Sequence, residues 1–422
     1  MSAHPPTLLQ DATLVDLAPP RVERADLLLE QGLIVARGPG QAPRGAQVVP
    51  CGGRVVLPGF VNAHTHLYSA LAAGMPAPAV ADFQGALDQV WWPLDRALTL
   101  GDLGPSARVG LRDALLCGTT TVVDHHASPR AIAGSLDALA AVYEDLGIRG
   151  ALCFETTDRN GAGEGTAGLA ENARANQRYA GGMLRALTGY HASFTVSEQT
   201  LAAGAALPGP IHIHCAEGRG DVEDARARGH GGVIARLEAS GLLRPGSLLV
   251  HGVHLDDDEV ARARAAGCWL VHNPTSNRNN RVGYARPGRF GDRGALGTDG
   301  LGSDMFAAAR DAFFTAREHR HDVDVLALVV QSHQLASELL GVELGRLEPG
   351  YQADLIRLDG EPRTPLQGEN VFGHLIFGWQ ARHVRDVWVA GRHRVVDGAL
   401  PPAEPVSQTA AALWQRYLDE RS

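Results

Sequence analysis

The feature that most constrains the fold is a unit that recurs through the middle of the chain: a short apolar run closing on polar residues, then a longer segment of helical periodicity. The runs are FVNAHTH, TTTVVDHH, RGALCFET, LTGYHASFTV, PIHIHCAE, SLLVHGVH, CWLVHNP and GALGTDG. After the second, Leu136, Leu139, Ala140 and Tyr143 stand at i, i+3, i+4 and i+7, one face of an amphipathic helix. Eight strands with mostly helical returns predict an α/β protein built on a parallel (β/α)8 TIM-type barrel, whose chemistry collects at the C-terminal strand ends. The return from TVSEQT to PIHIH is short and predicts a helix of only a turn or two.

Outside this region the texture changes. The segment ATLVDLAPPRVERADLLLEQGLIVARGPG alternates short apolar stretches with turn signals, and the same pattern returns in ADLIRLDG and HVRDVWVAGRHRVVDG. This predicts a small β-sandwich built from both termini, residues 1–57 plus 350–402, flanking the barrel at 58–349 and followed by a C-terminal helix at 403–422.

Composition removes several function classes. No run of eighteen apolar residues suggests a membrane span. A net charge of −9, with no basic run interleaved with aromatics, disfavours nucleic acid and leaves small molecules as the expected partners. The start, MSAHPPTLLQDATLVDL, lacks the basic and apolar regions of a secretory signal, so a cytoplasmic location is expected. The five cysteines are widely spaced and form no CxxC pair, which argues against a disulfide framework or a cysteine-built zinc site. The chain has no lysine at all: its 38 basic residues are all arginine, and any mechanism that needs a lysine is excluded.

The polar strand ends carry the chemistry. In VVLPGFVNAHTHLYSAL, His64 and His66 stand at i and i+2 of a strand, on one face and roughly 6.5–7 Å apart, where two imidazoles can share an ion. Strand four holds His191; strand five ends in His212, His214 and Glu217; strand six in His251 and His254; strand eight in Asp299. Two histidines from one strand, a third from another and a carboxylate make a nitrogen and oxygen site suited to Zn²⁺ or Fe²⁺, with a position left for water.

The motifs PGFVNAHTH, GTTTVVD, HCAEG, LVHGVHLDDDEV, VHNPTSN, LGTDG and GRLEPGYQADLIRLD resemble the metal-dependent amidohydrolase superfamily, in its cytosine deaminase and chlorohydrolase-like branch. WWPLDRALT, DHHASP and GYHASFTVSEQT are most similar to the SsnA-type aminohydrolases, and the resemblance covers nearly the whole chain. It implies one divalent metal ion, zinc ahead of iron, held by His64, His66, His214 and Asp299. It further implies Glu217 as proton shuttle, His251 as a group polarising the water or the leaving group, and His191 in contact with substrate. His254 is the rival of His251 at the same strand end, and His212 the rival of His214. The missing lysine excludes the carboxylated-lysine, two-metal sites of hydantoin- and dihydroorotate-type relatives, so a mononuclear site follows.

The implied reaction is hydrolysis of a carbon–nitrogen bond outside peptides: deamination of a small nitrogen heterocycle by a metal-activated water, with Asp299 taking the water's proton and Glu217 delivering it. Dehalogenation or cyclic amide opening at the same mononuclear site is the alternative, and a non-catalytic barrel used for binding or assembly a remote one. Homo-oligomers are common among similar barrels. Around the mouth, Trp91 and Trp92 are expected in a covering loop, with Trp91 against the substrate ring. Arg159 is expected to bind a substrate carboxylate, a role open also to Arg278 and Arg281. Asn273 and Asn277 are expected to pin a turn, Asp124, His125 and His126 to orient ligands from behind, and Ser303 to cap a helix.

Overall fold

The computed structural model describes residues 5–40 and 42–421; the first four residues and Gln41 of the expected 1–57 segment, and Ser422 of the expected end helix, lie outside them. All eight expected central strands form: Phe60–Thr65, Thr119–His126, Arg149–Phe154, Thr188–Ala192, Ile211–Cys215, Leu248–His251, Trp269–His272 and Gly294–Leu296. The first three pair in parallel within one sheet, which continues into two further short strands. The last five form a second, wholly parallel sheet. Isolated parallel bridges, Thr156 with Tyr190 and Thr65 with Asp299, join the sheets at both edges. The strands are buried along their whole length, as parallel strands covered by helices must be.

Helix ends follow local chemistry. Asp256 and Glu259 form a capping box before Asp257–Ala265, and Gly147 closes Ser135–Leu146 in a left-handed turn. The short return between the fourth and fifth strands is the two-turn helix Glu198–Ala205. Ser303 does not cap the helix Met305–Glu318. Asp304 does, its Oδ1 accepting from the Ala307 N–H at 3.0 Å, while Ser303 Oγ takes a hydrogen bond from Asn62 at 3.1 Å. The carboxylate is the stronger acceptor for an orphan helix N–H, and the serine is drawn inward.

Both chain ends join one eight-stranded mixed sheet. Its order is Arg392–Val395, Val384–Val389, Leu355–Leu358, Val55–Pro58, Thr7–Leu17, Pro20–Glu30 and Leu33–Arg37, with Gln47–Pro50 also paired to Thr7–Leu17. The first two strands run for 11 residues each, longer than the turn-rich sequence suggests. The chain leaves this sheet at Pro58 and starts the first central strand at Phe60. Gly59 makes the elbow, because Thr120 packs so closely that no Cβ fits there. Among the described residues no helix is long and apolar enough to cross a membrane.

Candidate active site

Because the strands are parallel, their C-terminal residues meet at one end of the central sheets. There His64, His66, His125 and His214 place ligand nitrogens within 4.8 Å of one another, and His64, His214, His251 and Asp299 form a second, overlapping group within the same distance. His66 Nε2 lies 2.8 Å and His64 Nε2 3.5 Å from Asp299 Oδ1, and the Nε2 atoms of His64 and His214 approach to 3.3 Å. All four side chains are at least 85 % removed from solvent.

What stands behind each ring sets which nitrogen faces the centre. His66 Nδ1 donates to the His125 carbonyl at 2.5 Å, and His251 Nδ1 to Asn277 Oδ1 at 2.8 Å, so each turns Nε2 inward. His64 Nδ1 is engaged by His212 Nε2 at 2.9 Å. His212 therefore stands behind His64, while His214 faces the centre. His254 is half-buried and outside both groups, whereas His251 Nε2 lies 3.4 Å from Glu217 Oε2 and 4.0 Å from Asp299 Oδ2. Asp299 and His251 both adopt positive φ, 57° and 75°, conformations that branched or bulky residues avoid and that here aim the two side chains inward.

Burial holds His64 down to about 3 and His214 well below its usual range, leaving neutral imidazoles with free lone pairs. His66 is raised to about 10: burial opposes protonation, but the hydrogen bond and charge of Asp299, and the charge of Glu155, overcome it. Asp299 is held well below the carboxylate range; burial works against this, but His64 and His66 outweigh it. The buried Nε2 of His251 has no hydrogen-bond partner. Imidazole nitrogens converging beside an ionised carboxylate, with the His251 Nε2 left without a hydrogen-bond partner, match the donor set of a divalent ion.

The cluster opens into a cavity of about 390 Å³ lined by Tyr68, Phe83, Leu87, Trp91, Trp92 and Phe194 besides the polar residues. His191 is on its wall, with Nδ1 3.0 Å from Thr195 Oγ1, and burial pushes it down to about 3. Glu217 also lines it. Burial pushes Glu217 up to about 7 against the opposing charge of His251, and Asn280 Nδ2 donates to its Oε1 at 3.2 Å. Trp91 and Trp92 sit on short helical segments, Leu87–Trp91 and Trp92–Ala97, where a loop was expected; Asp82 caps the turn that leads into them.

Arg159 does not line the cavity. Its guanidinium is paired with the buried Asp95 at 2.5 Å and lies 5.1 Å from the Trp92 ring centre, so it props the wall from behind. Arg278 pairs with Asp311, and Arg281 is not on the cavity lining. Asn277 does more than pin a turn, since it fixes the His251 ring. Asp124 accepts from the Leu67 N–H at 2.7 Å and His126 contacts Ser128 at 2.9 Å, both behind the site, but His125 joins the central group. Sequence reasoning overlooked Glu155, whose Oε1 lies 3.2 Å from His125 Nδ1 and 3.4 Å from His66 Nδ1. It follows directly on the third strand, so the strand-end rule already pointed to it. Asn280 and Asp95 carry no such signal.

Residues 55–394 match the amidohydrolase family, and the chain belongs to that family. Among curated relatives, the 5-methylthioadenosine/S-adenosylhomocysteine deaminase of Syntrophomonas wolfei is 30 % identical, over 88 % of this chain and 89 % of its own. Among solved structures, an adenosine deaminase from Xanthomonas campestris with bound zinc superposes with a TM-score of 0.84 at 24 % identity, covering 98 % of both chains. The atrazine chlorohydrolase TrzN from Arthrobacter aurescens TC1, complexed with zinc, gives 0.82 at 22 % identity, covering 97 % of this chain and 100 % of its own.

Proposed function

We propose that this protein hydrolytically removes the amino group from a small nitrogen heterocycle, using one divalent metal ion, zinc in the first place. The observation that carries the proposal is the convergence of imidazole nitrogens and the Asp299 carboxylate at the floor of an aromatic-walled cavity, with a second carboxylate, Glu217, beside them. The deaminase relative at 30 % identity supports the reaction class. His64, His66, His214 and Asp299 hold the ion. A divalent ion there supplies Lewis-acid chemistry and lowers the pKa of water toward neutrality.

The chain's own residues do the rest. Glu217, whose carboxyl burial pushes up, carries the first proton of the attacking water to the ring nitrogen and then the proton of the adduct's hydroxyl to the amino group, which departs as ammonia. His251, held by Asn277, presents Nε2 between Glu217 and Asp299 and polarises the reacting groups. His191 and Trp91 contact the planar substrate, while Arg159 acts through Asp95 and Trp92 on the cavity wall.

The same proposal includes the architecture. The edge bridges support closure of the two sheets into a (β/α)8 barrel over residues 58–349. The apolar cluster of Leu9, Leu14, Leu27, Val56, Leu355 and Trp388 supports a terminal β-sandwich at 1–57 plus 350–402, with a separate end helix inside 403–422.

The test is ammonia release by metal-loaded protein across aminated purines, pyrimidines, triazines and pterins, with Glu217→Gln as the blank. Release above that blank, together with unchanged metal content in the variant, is the expected result. Halide release from chlorinated triazines without ammonia from any amine would replace deamination by dehalogenation at the same residues.

A further inference from the structure

A second cleft, about 600 Å³, opens between the terminal sheet and the starting ends of the central strands, lined among others by Tyr143, Gly147, Arg149, Gly182, Arg392 and Arg394. Arg149 begins the strand whose far end delivers Glu155 to the catalytic cavity, so the two openings are separated by a strand length of roughly 20 Å.

One of its arginines, the half-buried Arg394, lacks the carboxylate partner that other buried arginines of this protein have, and the exposed Arg392 stands beside it. Arg37 is matched by Asp16 at 2.8 Å, Arg149 by Asp354 at 2.8 Å and Arg236 by Glu198 at 2.7 Å. The side chains of Arg392 and Arg394 have no hydrogen-bond or ion-pair partner among the described residues, and Arg394 Nε is fully buried without an acceptor. They stand two residues apart in the strand Arg392–Val395, which bulges at Arg394 between His393 opposite Trp388 and Val395 opposite Val387, and both line the cleft. Glu30 and Glu144 reach the rim of the cleft but are exposed and pair with neither.

The backbone makes room for this arrangement. The Arg394 guanidinium lies directly against Gly147, the left-handed residue that ends Ser135–Leu146, and any Cβ there would collide with it. Burial, together with the like charge of Arg392, pushes the Arg394 pKa down, a cost that nothing in the protein offsets in full although Asp354 lies near enough to oppose it. A half-buried cation kept unpaired beside a second one is a stability cost of the kind found where a binding site needs the charge.

We propose that Arg392 and Arg394 form a binding site for a small dianion, a phosphate or a dicarboxylate, distinct from the catalytic cavity. Two guanidinium groups lining one cleft grip such a ligand through charge-assisted, paired N–H···O bonds. Its occupancy joins the terminal sheet to the strand-start end of the central sheets, because Gly147 and Arg149 belong to the latter and Arg392 and Arg394 to the former.

The test is calorimetric titration and thermal unfolding of the metal-loaded full chain with inorganic phosphate, with succinate, and with chloride at matched ionic strength. A saturable rise in unfolding temperature with phosphate or with succinate, absent with chloride, is expected, and whichever anion acts identifies the ligand class. Arg394→Met should weaken that binding at least tenfold and, without the anion, unfold at a temperature equal to or above the parent's. Arg392→Gln should weaken binding in the same direction. Absence of saturable binding with both anions, binding undiminished in Arg394→Met, or a lower unfolding temperature of that variant without anion would each overturn the proposal, the last because it marks a structural tie.

Discussion

Replacing Arg149 by methionine gives a sharp test of how the two parts of the protein are held together. Its Nε and Nη2 donate to the two oxygens of Asp354 at 2.8 and 3.0 Å, Nη2 also reaches Gln352 Oε1 at 2.9 Å, and Nη1 reaches the Gly182 carbonyl at 2.7 Å. Both side chains are at most 2 % exposed. Methionine fills much of the volume but leaves a buried carboxylate with one remaining donor, the Ala390 N–H at 2.7 Å. Breaking one side of such a pair costs about 3–5 kcal/mol, mostly the penalty of the stranded charge. For a chain of this length unfolding as one unit, this is on the order of 5 °C in Tm. The double variant Arg149→Met/Asp354→Asn removes the stranded charge and keeps an acceptor for Ala390, so it should recover more than half of the loss. Urea unfolding of metal-loaded protein followed by circular dichroism measures both. A single variant destabilised by less than about 1 kcal/mol, or a double variant worse than the single, would refute the stranded-charge reasoning.

Other outcomes follow from the same contacts. Asn277→Leu removes the acceptor that fixes His251, and turnover should fall by about 10–100-fold while metal content, read by elemental analysis, stays at the parent level. Loss of metal along with turnover would place His251 among the ligands. Chelation of the metal should lower Tm and restoring zinc should raise it, since an ion that binds only the folded chain stabilises it by mass action. The Asp386 carboxyl is held below its usual range: burial raises it, but the hydrogen bond from His393 at 2.7 Å and the charge of Arg357 outweigh burial. Its contribution to stability is therefore present above the ordinary carboxyl value of 3.8 and is lost as pH falls through the lowered one. Asp386→Asn should unfold at a lower temperature than the parent at neutral pH, and the gap should narrow in acid; a gap independent of pH would remove Asp386 from this role.

The eight central strands and the pattern of their ends were legible because each is a local signal. A short apolar run closed by a polar residue says both that a strand is buried and that something at its end is not packing. Hence His64, His66, His191, His212, His214, Glu217, His251, His254 and Asp299 were readable as strand-end candidates before any distance was known, and the family resemblance singled out His64, His66, His214, Glu217, His251 and Asp299 among them. The choices between His214 and His212, and between His251 and His254, turned on which side of a strand or turn each ring occupies. Backbone geometry decides that, including the positive φ of His251. Arg159 misled because a lone arginine in a loop carries no mark of its partner, and Asp95 lies 64 residues away in sequence. Trp91 and Trp92 were placed over the cavity but in a loop, since the short helices carrying them are too brief to leave a periodic trace.

The sequence alone thus determined the α/β class, the residue types available for metal chemistry and, through the absent lysine, a class of site that this chain cannot build. Tertiary structure alone decided which nitrogens converge, that Glu155 and His125 belong beside them, and that Arg149 binds Asp354 while the side chains of Arg392 and Arg394 bind nothing in the described chain. The division has one physical cause. Secondary structure and strand-end chemistry are written in neighbouring residues, whereas pairing, burial and proton affinity depend on groups brought together only by the closing of the fold.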